Sequence, residues 1–492
     1  MTGKTTASAL ALVALQCACG PSSKPLVVAV PAGPAMLRPN GLNEEFTLSV
    51  LSNVYETLVD LDGGLALRPG LAESWHSPDD LTWVFKLRRG VRLHDGRELT
   101  APLAARSLED ARTHPESRRR LQLSMIETIE TPDDRTLVLR TSRPFDPLPA
   151  RLSNVHVWAP AADGGHVGTG PYEMRHWEPG GDARLSAFPG YRQGHARIAD
   201  LEFRVLADAG QRVAALRDGR AQLAVDVPAE ALEPLRRTRG IETIVQNGLR
   251  VLFLAMDAQV RFRDPRLRRA VALAVDRAAL VRGPLGGYAE VVEEIVSPQE
   301  LGGQQQELPG RRHDPALARR LVAEAGFASG FDVDLEFMPQ KYRAMEAVAR
   351  AIAADLSAVG IRARLLPRTP SEMLARVERQ QTALYLLGWI SDNGDGRMSY
   401  EYLLHSPIAG FGLDNGGGYS NPEVDALIER SLARLDGLDR RAVLSRLARL
   451  IYDDVPVLPL YRQADLYALD AGLDFRPRLD RRVRAYDMSW AD

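Results

Sequence analysis

Apolar and polar residues change rhythm repeatedly between positions 331 and 395 of the chain. Phe331, Val333, Leu335 and Phe337 alternate with Asp332, Asp334 and Glu336, a period of two that predicts a half-buried strand. Tyr342, Met345, Val348, Ala349, Ile352, Leu356 and Val359 then recur at helical spacing, and Gly360 marks the stop. Alternation returns over 361–366. Thr369-Pro370-Ser371-Glu372 carries the side chains of a capping box with proline at the first helical position, opening a helix with Met373, Leu374 and Val377 inward. Residues 383–387 are almost wholly apolar, as in a strand covered on both faces. The order β-α-β-α-β predicts a parallel sheet with right-handed crossovers. Ligands of such sheets sit beyond the carboxyl ends of the strands, which is where Trp389 and Asp392 fall.

The flanking pattern is less regular. Residues 71–100 break into short β segments, among them Thr82-Trp83-Val84-Phe85-Lys86-Leu87, and 136–141 alternates again. Strand, helix and strand recur over 201–206, 209–218 and 222–227, a second β-α-β unit. Residues 241–246 and 250–256 read as two strands back to back, a place for the chain to cross between lobes. Asp264-Pro265 caps a helix with Leu267, Ala270, Val271, Ala274, Ala278 and Val281 inward. A glycine-rich loop over 410–418 precedes a helix capped by Ser420-Asn421-Pro422 and a second helix from Asp439 to Asp454, and Val455 to Tyr461 is extended and apolar.

The length of 492 residues allows two large domains or three smaller ones, and the 45% apolar fraction is ample for full cores. A formal charge of −2 gives no case for nucleic acid as a partner. Arginines are scattered among acids, which reads as solvated surface. Lys4, an apolar run from Ala7 to Leu15 and then Gln16-Cys17-Ala18-Cys19-Gly20 form a secretory leader, residues 1–19. The run falls well short of the roughly 20 residues a membrane span needs. Both cysteines of the protein lie here, so no disulfide can join distant parts of the fold. Cys19 after the small Ala18 suits a lipobox better than Cys17 after Gln16, and lipidation there would anchor the protein to a membrane surface.

Four blocks resemble the oligopeptide/dipeptide-type solute-binding proteins of bacterial ABC importers, solute-binding protein family 5. They are Leu71-Ala72-Glu73-Ser74-Trp75 with Thr82 to Ala101; Gly168 to Tyr172; Arg266 to Arg277; and Tyr419-Ser420-Asn421-Pro422-Glu423-Val424-Asp425. The resemblance runs from about Leu26 to the C-terminus. It implies an α/β, two-lobed periplasmic-binding-protein-like clamp with two crossover strands and an inserted β-rich subdomain. On this chain that expectation becomes residues 25–60, 168–248 and 470–492 for lobe I, 61–167 for the subdomain and 249–469 for lobe II. The crossovers fall near Leu249 and over 458–469.

A free peptide carries an ammonium and a carboxylate, and each must be paired if buried. Trp389-Ile390-Ser391-Asp392 is similar to the family segment whose aspartate receives the ligand's amino terminus, which implies that role for Asp392. Asn393-Gly394-Asp395 extends the likeness toward dipeptide binders, whereas Gly396-Arg397 stands where the family has proline and aspartate. For the carboxylate, Lys341 and Arg343 follow the strand at 331–337 and open the next helix; the choice between them stays open. Trp389 is either a ligand wall or core. Tyr419 and Asn415 on the glycine-rich loop are weaker candidates.

Nothing points to an enzyme, a metal site or a cofactor. The chain has neither H-E-x-x-H nor G-x-S-x-G, and its nine histidines lack metal-ligand spacing, with His94-Asp95 reading as a turn. Gly3-Lys4-Thr5 and the glycines at 165, 168 and 170 fail as phosphate loops for want of the right strand or helix. The expectation is therefore a monomeric, lipid-anchored extracytoplasmic protein. It would capture a di- or oligopeptide and deliver it to ABC permease subunits with their ATPases. A binder of another small solute, such as a nickel chelate or a sugar, or an envelope sensor not coupled to transport, is the alternative.

Overall fold

A computed structural model describes residues 24–41, 44–303, 307–391, 393–408 and 410–491. The leader, with Cys17 and Cys19, and the site candidate Asp392 lie outside these residues.

Lobe I begins with β1 (Leu26–Val30), all five residues buried, and α1 (Glu45–Val54). β1 pairs in parallel with the strand Asp200–Val205 on one side and with β2 (Leu223–Val225) on the other. Gly168 and Gly170 follow from packing here: a Cβ at Gly168 would lie 2.0 Å from the Val54 carbonyl oxygen. His94 closes onto the same turn, its Nε2 lying 3.0 Å from the Gly170 carbonyl, and burial holds the imidazole below its ordinary pKa.

The chain then crosses in β3 (Ile241–Met256), one strand of 16 residues where the pattern predicts two. The predicted break survives as an irregularity: the ladder to its antiparallel neighbour slips between Asn247 and Val251. Gly248 sits in the slip because a Cβ would meet the Gln463 carbonyl oxygen at 2.6 Å and Asp465 Oδ2 at 2.8 Å.

Lobe II follows the predicted order: β4 (Phe331–Phe337), α2 (Met345–Ala358), β5 (Ile361–Pro367), α3 (Pro370–Glu378) and β6 (Leu384–Trp389). A helix the pattern does not predict, α4 (Arg397–Leu403), comes after them. β4 pairs in parallel with both β5 and β6. Phe331, Val333 and Leu335 are buried, while Asp332 and Asp334 form ion pairs of 2.6 and 2.8 Å with Arg362 and Arg364 on β5. The Thr369–Glu372 capping box is formed. α2 begins three residues later than the periodicity suggests. Ala344 takes a left-handed φ of 52°, which frees Tyr342 and Arg343 from the helix. The helix opened by Pro265 also stops early, at Ala274; Asp276 caps a second one, Arg277–Arg282, by accepting from the Ala279 N–H.

The return crossover is β7 (Val457–Asp470), antiparallel to β3. Through β3 and β7 the strands of both lobes join one eleven-stranded mixed sheet among the described residues. Separate apolar cores lie under β1 in lobe I and under β4 and α2 in lobe II. A third fills the inserted subdomain, whose four antiparallel strands run in the spatial order Ala72–Asp79, Thr82–Leu87, Thr136–Thr141, Ile126–Asp133. Phe411 and Leu432, from the far end of the chain, complete that third core.

The arginines correct the reading of a solvated surface. Arg151, Arg212, Arg277, Arg397 and Arg481 are all buried, each held by carboxylates or backbone carbonyls. A guanidinium tolerates this better than an ammonium, since its flat fork matches such acceptors and is weakly hydrated.

Candidate functional site

The site is built where the crossover strands meet the ends of both lobes. Arg250 projects from β3 and Asp465 from β7; Asp226 follows β2, Glu45 opens α1, and Arg481 comes from the C-terminal tail. Arg481 lies 2.9 Å from Glu45, 2.6 Å from Asp226 and 2.9 Å from Asp465, while Arg250 lies 3.0 Å from the other Glu45 oxygen. From lobe II, Arg343 donates to the Ala464 carbonyl at 2.9 Å. Three cations and three anions thus converge from both lobes and both crossovers.

Burial sets their electrostatics. It pushes the Asp465 carboxyl up to about 6 against the pull of Arg481, with Glu45 and Asp226 adding to the rise. For Asp226 burial also raises the pKa, but Arg481 outweighs it and holds the group below the usual carboxylate range. Burial lowers Arg343, countered in part by Asp226 and Asp465. Asp465 Oδ2 and the Tyr461 hydroxyl are buried without a hydrogen-bond partner. Asp226 and Arg481 both adopt left-handed backbone, at φ of 50° and 62°, costing about 1 kcal/mol or more each. Such strain persists where neighbouring structure over-determines it, here by the ion pair the two residues share.

Gly388 near the end of β6 makes room for this arrangement. A Cβ there would meet Tyr342 Cε1 at 2.7 Å and Arg250 Cδ at 3.2 Å. Tyr342 donates to the Gly388 carbonyl at 3.3 Å, and its ring lies 5.9 Å from the Arg250 guanidinium. Leu61, Leu65 and Leu249 pack with Ile390 and Leu479 in a small apolar cluster.

The predicted residues distribute unevenly around this centre. Trp389 is half-buried, donating to Ser399 Oγ at 2.9 Å with its ring edge-on to Tyr402. Asn393 is buried. Its Oδ1 accepts from Ser391 Oγ at 2.9 Å and the Asp395 N–H at 3.0 Å, and its Nδ2 has no partner. Lys341 is exposed, whereas Arg343 turns toward the charged centre. Tyr419 and Asn415 brace one another inside lobe II, with bonds of 2.8 and 3.0 Å between the Asn415 amide and the Tyr419 backbone.

Arg397, which departs from the family pattern, is buried and bidentate on Asp395, and reaches Asp146 of the inserted subdomain at 3.0 Å. Burial raises the Asp395 carboxyl, but Arg397 outweighs it and holds the group low.

The sequence reading did not find Glu45, Asp226, Arg250, Asp465 or Arg481. They lie on five elements up to 436 positions apart, and each alone reads as an ordinary surface charge.

Comparison with known proteins decides the family. The model of the bacterial extracellular solute-binding proteins, family 5, matches residues 66–411. The chain belongs to this family. It is 28% identical over 466 residues to the glutathione-binding protein GsiB of Escherichia coli K12, covering 91% of this chain and 90% of that one. Its fold is shared with a dipeptide-binding protein from Pseudoalteromonas sp. SM9913 in complex with Met-Leu (TM-score 0.83, 19% identity, 95% and 100% of the two chains). NikA from Staphylococcus aureus in complex with Ni(L-His)2 is similar in the same way (TM-score 0.80, 18% identity, 95% and 100%). As a family 5 member the protein is an extracytoplasmic solute-binding component of ABC importers. Among the described residues no helix is long and apolar enough to cross a membrane.

Proposed function

We propose that this family 5 protein captures a small peptide with a free amine and at least one free carboxylate between its lobes and hands it to an ABC permease. The observation carrying this reading is the charge-balanced centre at the crossover strands, Arg250, Arg343 and Arg481 facing Glu45, Asp226 and Asp465. A zwitterion inserted among such groups exchanges ion pairs without leaving a net buried charge, which a neutral sugar would not do. Because the groups come from both lobes, a ligand touching them favours the closed arrangement, as a clamp requires.

Within this reading Arg343 and Arg250 receive carboxylates, Lys341 stays in solvent, and Trp389 forms a wall beside the ligand. Asp392 takes the amine, an assignment that rests on the similarity of its sequence segment. Acylation of Cys19 would tether the protein beside its permease. Glutathione, named for the 28%-identical relative, has one ammonium and two carboxylates and fits the two arginines.

Mass spectrometry of small molecules co-purifying with the mature protein, followed by calorimetry with glutathione, Met-Leu and Ni(L-His)2, tests the reading. Peptide binding is expected; selective capture of the nickel complex would replace it. Arg343→Met should weaken a peptide with a free carboxylate by about 10- to 100-fold, the worth of a charge-assisted hydrogen bond, and its C-terminal amide far less. Asp392→Asn should discriminate in the same way between a free amine and its N-acetylated form. Equal losses for both forms of a ligand would remove the residue concerned from the role given to it.

A further inference from the structure

Glu300 is buried. Its carboxylate is spent on two backbone groups. Oε2 accepts from the Ser297 N–H at 2.8 Å, and Oε1 accepts from the Ser391 N–H at 3.1 Å. Ser391 comes two residues after the end of β6. The Glu300 backbone carbonyl in turn accepts from the Gly396 N–H at 2.8 Å. One residue therefore grips both ends of the turn between β6 and α4. Inside the turn, Ser391 Oγ donates to Asn393 Oδ1 and, at 2.8 Å, to the Asp395 carbonyl.

The departure of this chain from its family belongs to the same grip. A proline at 396 would have no N–H to donate, and a Cβ at that position would lie 2.1 Å from Val296 Cγ1 and 3.2 Å from Glu300 Cβ. Glycine at 396 and glutamate at 300 are complementary.

We infer that Glu300 is a positioning residue that shapes the turn after β6 and makes solute affinity depend on its own ionisation. The second half of this inference rests on the reading that the turn borders the solute. Ionised, the carboxylate serves both N–H groups. Protonated, one of its oxygens becomes a donor, and the longer bond, to Ser391, is the one that yields. Burial raises the carboxyl to about 7, so the change falls near neutral pH. The charged and titratable groups facing it are Arg462 of β7, which lowers its pKa, and Tyr400 of α4, which donates to Glu294 at 3.0 Å. Glu294 is itself raised to about 7 by burial.

Hydrogen exchange read by mass spectrometry, without any ligand, tests the positioning role on peptides covering residues 388–398. After correction for intrinsic rates, wild-type exchange there should be about fivefold faster at pH 6 than at pH 8, the worth of one backbone hydrogen bond. Glu300→Gln should exchange at the faster rate at both pH values, with peptides over β4 unchanged. A wild-type turn indifferent to pH, or a variant that keeps the wild-type profile, overturns the inference. Calorimetry with glutathione and Met-Leu adds the second arm: from pH 8 to pH 6 wild-type affinity should fall about fivefold more than that of Glu300→Gln, the difference between the two profiles setting Glu300 apart from Asp465 and the ligand amine. If neither peptide binds the wild type, the functional reading fails, while the exchange result still decides the role of Glu300.

Discussion

Glu401→Leu is expected to remove about 3–5 kcal/mol of stability, the typical cost of stripping one partner from a buried ion pair. Glu401 on α4 pairs with Arg151, which the inserted subdomain contributes from its short helix Leu148–Leu152. Arg151 is 1% exposed and Glu401 2% exposed, so neither has water to fall back on. Arg143 stands 4.0 Å from the same carboxylate and lies over the Phe411 ring. Around them Asp146 holds both Arg397 and Arg440 at 3.0 Å, and its N–H donates to the Leu432 carbonyl. The subdomain and lobe II are thereby joined by charge as well as by the shared apolar core. Pairing Glu401→Leu with Arg151→Met should recover much of the loss, because removing both charges also removes their desolvation penalty. Urea unfolding of the two single variants and the double one measures this. A double variant less stable than either single would show that the pair contributes more than it costs to bury.

Arg481→Met should have the largest effect on binding. It leaves Glu45, Asp226 and Asp465 facing one another with only Arg250 and the more distant Arg343 to balance them. Calorimetry with a dipeptide should show a loss of about 100-fold or more, in the range found when one member of a buried charged pair is truncated. The pH dependence of stability separates this cause from general damage. Asp465 already has a raised carboxyl in the folded protein, so its ionisation costs stability as pH rises from about 4 toward 6. Without Arg481 that cost must grow, and the stability deficit of the variant should shrink as pH falls to about 5, where the acids take up protons. A deficit constant from pH 5 to pH 8 would mean that Arg481 acts through packing, not charge. Arg481→Lys should fall between the two, keeping the charge but losing the fork that reaches three carboxylates.

The elements of lobe II were legible in the chain because each is written in local terms. The alternation at Phe331–Phe337, the capping box at Thr369 and the apolar run into Trp389 all became the elements they predict. Local patterns misjudged boundaries and missed the short helices Pro315–Val322 and Arg397–Leu403. β3 is continuous because its partner β7 spans the irregularity at Gly248, and the helix after Asp264 stops early because Asp276 offers a better cap. The family, too, could be read from blocks of sequence, since short motifs keep their spacing.

By itself, then, the sequence determined most of the succession of strands and helices and the two-lobed class. Tertiary structure decided which charges meet. Glu45, Asp226, Arg250, Asp465 and Arg481 become neighbours only when β3 and β7 carry the chain across and the tail returns to lobe I. Arg343 is told from Lys341 only by its contact with the Ala464 carbonyl, while Lys341 stays exposed. The physical reason is range: periodicity and capping act over a few residues, whereas an ion pair depends on distance in space and on burial, neither of which is written at any one position.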